Sequence, residues 1–399
     1  MKKSRNTFIL LGVIYLSYIA VGFPDGAFGV AWPSLRVDME QPLEQAGVIF
    51  IVHAITTAFT SSLFGKISHL LKIEIINIIG SAMMAVGLFG VSLAPNFFVL
   101  LVFIGVIGAG MGLADSSINS FVVQSFEAKH MNWLHCFWGL GATISPIIMA
   151  QMIVHDSWRS GYAVMSVVQA VIVVVLIISV VKGVWSGQKK RKITVEEEAG
   201  TESKGVAKRF LSSKHHQFLE VFIFFLYGGI EYSIGFWITS VLIESRGLAI
   251  ESASIFPAVY YACLMIGRMV FGLISNKFSD MAIVRFGSFV GSVGLVILIF
   301  SNSLIGMAIV GLGVAPIFPC LMHDTANRFQ PSAVGRLIGL ELAAYGIGVA
   351  VLSSLKGAVL ANISLEALFP LVIGIVIATT AVNELLANRL KRMQKGKMV

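Results

Sequence analysis

The sequence predicts an all-α integral membrane protein, with twelve transmembrane helices in two pseudo-symmetric six-helix bundles. Three observations predict it: the apolarity of the chain, the length of its apolar runs, and an internal repeat. Of 399 residues, 56% are hydrophobic and 13% charged, and the mean hydropathy is +0.86. Soluble domains carry about a quarter charged residues. A chain this apolar cannot cover itself with polar side chains in water, so lipid must cover it.

Crossing the hydrocarbon core as a helix takes about 20 apolar residues. Twelve runs qualify: 7–33, 43–66, 73–94, 96–126, 131–154, 160–183, 215–243, 250–275, 281–301, 303–328, 333–361 and 365–388. Several exceed the minimum, so tilt is expected. The runs are continuous rather than alternating, which excludes a β-barrel. The first run, behind the basic Met1-Lys2-Lys3-Ser4-Arg5, is too long for the apolar core of a secretory signal.

Charge sets the orientation. With the N-terminus inside, all but five of the 29 Lys and Arg residues fall on the inner side. Arg36, Arg159 and Arg246 lie outside, and Arg268 and Lys356 lie within spans. The positive-inside rule therefore places both termini in the cytoplasm, in a plasma membrane. The net charge of +8 needs no nucleic-acid partner. The run Lys189-Lys190-Arg191-Lys192, followed by Glu196-Glu197-Glu198, reads as a solvated linker anchored beside anionic lipid. It divides the chain into bundles at 1–183 and 214–399, joined by a cytoplasmic linker at 184–213.

The two halves repeat. Asp25-Gly26-Ala27-Phe28-Gly29 aligns with Glu231-Tyr232-Ser233-Ile234-Gly235, and Phe64-Gly65-Lys66-Ile67-Ser68 with Phe271-Gly272-Leu273-Ile274-Ser275. Gly108-Ala109-Gly110 matches Gly311-Leu312-Gly313, and Gly139-Leu140-Gly141 matches Gly346-Ile347-Gly348. The order is kept and the offset stays between 203 and 207. Parallel repeats imply a site near the membrane midplane between two bundles that can rock.

Ionisable side chains within spans cost at least about 2.5 kcal/mol each and face a cavity or a partner. Asp25, Asp115, Glu231 and Glu341 are the acids of this kind, joined by His53, His135, His323 and Arg268. Asp25 sits in Gly22-Phe23-Pro24-Asp25-Gly26, where the helix is weakened; it either binds unwound backbone or lines the cavity. Asp115 and Asn119 lie one turn apart and share a face, as do His135 and Trp138, Tyr227 and Glu231, and Glu341 and Tyr345. An acid, an amide and flat aromatic faces suit a polyhydroxyl ligand, although a structural interhelix bond for Asp115 and a packed, neutral His135 are the alternatives. Desolvation disfavours a carboxylate, which offers a route to proton coupling through Asp25, Asp115, Glu231 and Glu341. Sodium is the alternative coupling ion. Arg268 is expected in a gating or bundle-interface ion pair, Lys356 is expected to snorkel, and His323-Asp324 to lie at the surface.

These residues resemble the Major Facilitator Superfamily, and within it the fucose/glucose–proton symporter branch. Gly112-Leu113-Ala114-Asp115-Ser116-Ser117-Ile118-Asn119-Ser120-Phe121-Val122 is similar to the branch's fourth-helix signature, whose acid and asparagine line the sugar site. Asn132-Trp133-Leu134-His135-Cys136-Phe137-Trp138-Gly139-Leu140-Gly141-Ala142 resembles its fifth-helix motif, and Asp25 is the candidate first-helix acid. The superfamily's loop acid, four residues after a glycine, is replaced by His69 and Asn276, so no charged latch is implied there.

The expected function is proton-coupled uptake of a neutral sugar or related polyol by alternating access. The candidate substrate contacts are Asp115, Asn119, His135, Trp138, Tyr227 and Tyr345. The alternative is proton-driven efflux of an amphipathic small molecule. No intramembrane protease signature, hydrolase arrangement, phosphate loop or zinc motif is present, and the longest loop is too short for a receptor domain. Cys136, Cys263 and Cys320 lack metal-ligand spacing. An enzyme, a cofactor and a metal are therefore not expected; a monomer in the bilayer is.

Overall fold

The computed structural model describes residues 2–126, 128–185, 211, 213–274 and 277–395. Asn276, the 189–192 basic run, the 196–198 acidic run and most of the 184–213 segment lie outside the described residues. Twelve helical spans stand where apolar length predicts them. The first six are Thr7–Asp38, Leu43–Leu70, Ile73–Leu93, Phe97–Ser125, Trp133–His155 and Trp158–Val181. The second six are Lys214–Ser245, Ile250–Gly272, Asp280–Phe300, Leu304–Arg328, Ala333–Asn362 and Leu365–Met393. Twelve crossings leave both chain ends on one side, the terminal face; the other is the far face.

Two spans break where proline requires it. Proline lacks an N–H and its ring crowds the preceding turn. The first span is interrupted at Gly22, and its second helix, Phe23–Asp38, begins with Pro24 in its first turn. The tenth divides into Leu304–Val314 and Ile317–Arg328 around Pro316. The seventh ends in a π-helical turn, Val241–Ser245.

The repeat seen in sequence is also a repeat of packing. A side chain at Gly22 would collide with the Trp138 backbone, and one at Gly228 with the Tyr345 backbone. Gly141 meets the backbone of Ile19 in the same way, and Gly348 that of Phe225. Each half thus presses its first span against its fifth, main chain to main chain, through glycines at corresponding positions. Small residues provide this approach where lipid gives no hydrophobic drive between helices.

The halves meet toward the far face. Gly29 lies against Phe236, where an added Cβ would stand 2.7 Å from the Phe236 Cα. Phe50 packs on Phe236 and Tyr232, with ring centroids 4.5 and 5.5 Å away. Ser354 donates to the Gly47 carbonyl at 3.0 Å. Arg36 and Glu244 form a two-pronged ion pair across the halves, with Nε 3.2 Å from Oε1. The other basic residues of this face are neutralised within their halves, Arg159 by Asp38 at 3.0 Å and Arg246 by Glu366 at 2.6 Å.

Lys356 departs from expectation. It does not snorkel: it is 3% exposed, and its ammonium donates to the Gly229 carbonyl on the seventh span. Tight packing of the seventh span on the eleventh covers it, with Gly229 against Leu352. His323 is exposed, as expected, and pairs with Asp280 at 2.7 Å, whereas Asp324 is engaged with Arg328 at 2.7 Å.

Candidate functional site

The break at Gly22 starts a new helix at Phe23 and places Asp25 in its first turn, midway along the first span. Its carboxylate accepts from Trp138 Nε1 on the fifth span at 2.9 Å and from Tyr232 on the seventh at 3.1 Å. Tyr261 of the eighth span donates to the Asp25 carbonyl at 3.3 Å. Asp25 is 5% exposed and receives donors from both halves.

In the first half, Asp115 and Asn119 do share a face, and Tyr18 completes the group. The Tyr18 hydroxyl donates to Asp115. Asn119 Nδ2 lies 2.8 Å from Asp115 Oδ1, 2.9 Å from the Asp115 carbonyl and 3.1 Å from the Tyr18 oxygen. Asp115 Oδ2 and Asn119 Oδ1 take no hydrogen bond among the described residues. The His135 ring meets Tyr18 edge-on at 5.8 Å and is exposed, while Asp115 and Asn119 are half-buried.

In the second half, Arg268 Nη2 lies 2.8 Å from both oxygens of Glu231. Tyr227 donates to Glu231 at 2.7 Å, and Tyr260 to the Glu231 carbonyl at 2.9 Å. Tyr227 stacks on Tyr345 at 6.1 Å, and Phe318 lies 5.6 and 5.3 Å from the two rings. Among the described residues Arg268 Nε is buried without a partner. The ion pair is internal to the second half, so Arg268 does not join the bundles; the pair that does is Arg36–Glu244. Sequence spacing reveals which residues share a helix face, but not which neighbour that face meets.

Trp138 and Tyr345 occupy corresponding positions of the repeat, as do Asp25 and Glu231, and the structure brings all four to the centre. Glu341 stands apart. It shares a helix face with Tyr345, yet it bonds Thr325 at 2.9 Å, toward the terminal end of the second half. His53 packs against Phe28 at 6.4 Å, and its Nε2 is buried without a partner among the described residues. Tyr18, Tyr232, Tyr260 and Tyr261 were not singled out from sequence. Tyr18 lies seven residues before Asp25, a helical spacing that would have pointed to it; the other three carried no comparable signal.

Contacts between the halves seal the far face. A ligand at the centre would meet a carboxylate and an amide with unused acceptors, a guanidinium with an unused donor, and aromatic walls. Among the described residues no group of three or more His, Cys, Asp or Glu is placed to hold a metal ion.

Two six-span bundles meet around a polar centre that contacts between the halves seal toward the far face. The Major Facilitator Superfamily model matches residues 14–353, and the chain belongs to that family. It is 25% identical over 274 residues to the glucose/mannose transporter GlcP of Bacillus subtilis (strain 168). That match covers 66% of either chain, just under two thirds of the relative's length. It is 24% identical over 310 residues to a hexuronate transporter of the same organism, covering 76% of this chain and 73% of the relative. In fold it resembles the nucleoside transporter NupG, with TM-score 0.74, 10% identity, and 95% and 99% of the two chains covered. A POT family transporter in complex with 5-aminolevulinic acid gives TM-score 0.74 at 13% identity, over 95% and 96%.

Proposed function

We propose that this transporter carries out proton-coupled uptake of a neutral sugar or related polyol by alternating access across a plasma membrane, with both termini cytoplasmic. The observation that carries the reading is the half-buried group Tyr18–Asp115–Asn119, which has unused acceptors and meets the His135 ring edge-on. Sugar hydroxyls donate to carboxylate and amide oxygens, and their C–H faces pack on indole and phenol rings. In this reading Asp115, Asn119, His135 and Trp138 contact substrate from the first bundle, and Tyr227 and Tyr345 from the second. Asp25 and Asp115 exchange the coupling proton, and Glu231 is regulated by its pairing with Arg268. The similarity to a glucose/mannose transporter supports a sugar. A hexuronate fits less well, because the centre holds three carboxyls, Asp25, Asp115 and Glu231, against the one guanidinium of Arg268. Bundles 1–183 and 214–399 rock about the centre, with 184–213 joining them on the cytoplasmic side.

The same excess of acidic groups favours a second reading, proton-driven efflux of an amphipathic cation. Proteoliposomes holding an imposed pH gradient separate the two. Saturable accumulation of a labelled hexose, deoxyhexose or polyol, abolished by a protonophore and lost in Asp115→Asn, supports sugar–proton symport. Expulsion of hydrophobic cations with no sugar movement overturns it in favour of efflux.

A further inference from the structure

A second buried polar cluster lies toward the terminal face of the second half, away from the central cavity. It joins Glu220 of the seventh span, Asp324, Thr325 and Arg328 of the tenth, Glu341 of the eleventh and Asn383 of the twelfth. Glu220, Thr325, Glu341 and Asn383 are each 0% exposed, and Arg328 is 2% exposed. Arg328 Nη1 lies 3.2 and 3.0 Å from the two oxygens of Glu220. Its Nη2 lies 2.7 Å from Asp324 and 2.6 Å from Asn383 Oδ1. The one guanidinium therefore serves two carboxylates, neither of which is Glu341.

Counting hydrogens decides the state of Glu341. Thr325 Oγ1 lies 2.9 Å from Glu341 Oε1, 3.2 Å from Glu220 Oε1 and 3.3 Å from the Leu321 carbonyl. A hydroxyl has one hydrogen to give, and all three neighbours are acceptors if both acids are ionised. Among the described residues Glu341 Oε2 has no partner. The charged groups facing Glu341 are Glu220 from the seventh span and Arg328 from the tenth, with Asp324 behind the arginine; Asn383 of the twelfth is neutral. An ionised Glu341 would be a buried carboxylate with no cation in contact and one bare oxygen, an arrangement proteins avoid. One added proton resolves every contact. Glu341 then donates to Thr325, Thr325 donates to Glu220, and Glu220 accepts from Arg328.

We propose that Glu341 is a proton-binding site outside the transport pathway, occupied in the conformation sealed at the far face and emptied as the seventh, tenth and eleventh spans rearrange. The proton completes a hydrogen-bonded chain across these three spans, and Asn383 ties in the twelfth through Arg328. None of these residues belongs to the first half or touches the central site. Proton concentration thus biases which face is open, whatever substrate the centre carries, so failure of the sugar reading leaves this inference standing.

The test uses the full chain in lipid nanodiscs with ¹³C-labelled glutamate. Infrared difference spectra between wild type and Glu341→Gln should show loss of one protonated-carboxyl band at neutral pH, while Glu220→Gln retains it. Glutamine reproduces the neutral acid, so Glu341→Gln should keep the wild-type Tm. Spin labels across the terminal face should report that raising the pH depletes the far-face-sealed population less steeply in Glu341→Gln, where only Asp25 and Asp115 still exchange protons, than in wild type. The inference is overturned if Glu341→Gln leaves the glutamic-acid bands unchanged, lowers Tm, or titrates between conformations as wild type does. Thr325→Val supplies an independent reading: it must move the same band, because it removes that acid's acceptor.

Discussion

The ion pair between Arg36 and Glu244 should set how firmly the far face stays shut. It is the charged contact described between the halves, made by two parallel hydrogen bonds, with side chains 24% and 19% exposed. A fully exposed pair contributes about 0.2–1 kcal/mol, and hydrogen bonds to charged groups about 1.5–3 kcal/mol. At this intermediate exposure about 1–2 kcal/mol is expected, equivalent to about a 5–30-fold change in an equilibrium constant. Glu244→Gln should therefore raise the ratio of far-face-open to far-face-closed molecules by that factor. Double electron–electron resonance between labels at the far ends of the first and seventh spans reads the two populations directly. The exchanged pair Arg36→Glu with Glu244→Arg should restore most of the closed population. If Glu244→Gln leaves the distance distribution unchanged, or if the exchange behaves like the sum of its single variants, the pair is a bystander and apolar packing alone seals this face.

Three further outcomes follow from the geometry. Gly29→Val should disfavour the same closure by about 1–3 kcal/mol, because its Cβ meets main-chain atoms of Phe236 that cannot turn aside; the same spin labels check it. Glu231→Gln leaves Arg268 without its counter-charge and should destabilise the protein by about 3 kcal/mol. Thermal unfolding in detergent should show that loss, with much of it recovered in the double variant carrying Arg268→Met. Tyr18→Phe removes one donor from Asp115 while Asn119 remains, so substrate affinity should fall about five-fold, for a loss of about 1 kcal/mol, without loss of fold. Equilibrium binding to the purified protein measures it, and an unchanged affinity would remove Tyr18 from the site.

The spans were legible because hydrocarbon thickness imposes a length that apolar residues must fill, and lipid allows few exceptions. The repeat was legible for a related reason: Gly141 and Gly348, at corresponding positions, belong to main-chain contacts that a larger side chain would break. Asp115 and Asn119 could be paired because both stand on one helix. What spacing could not supply was the partner across a helix boundary. Arg268 is expected in a gating or bundle-interface ion pair; it does form an ion pair, but with Glu231 of its own half. Lys356 was expected to reach the interface, but it is held by a carbonyl that only the packing of the seventh span places there. Glu341 and Tyr345 share a face, yet one turn along a tilted helix changes neighbours, so one residue meets Thr325 and the other Tyr227.

Asp25 has a consequence that extends past its contacts. One of its donors, Trp138, belongs to its own bundle and travels with it; the other, Tyr232, belongs to the opposite bundle and is in reach only while the two lean together at the far face. The carboxylate therefore works as a coincidence detector, fully served when both bundles are in register and half-served when they are not. Under the proposed rocking, parting the bundles would leave the missing donor to be replaced by water, by a ligand hydroxyl or by a proton. A single buried side chain can in this way make the rocking of two rigid bodies and the occupancy of their shared site parts of one equilibrium, with no moving loop to carry the message between them.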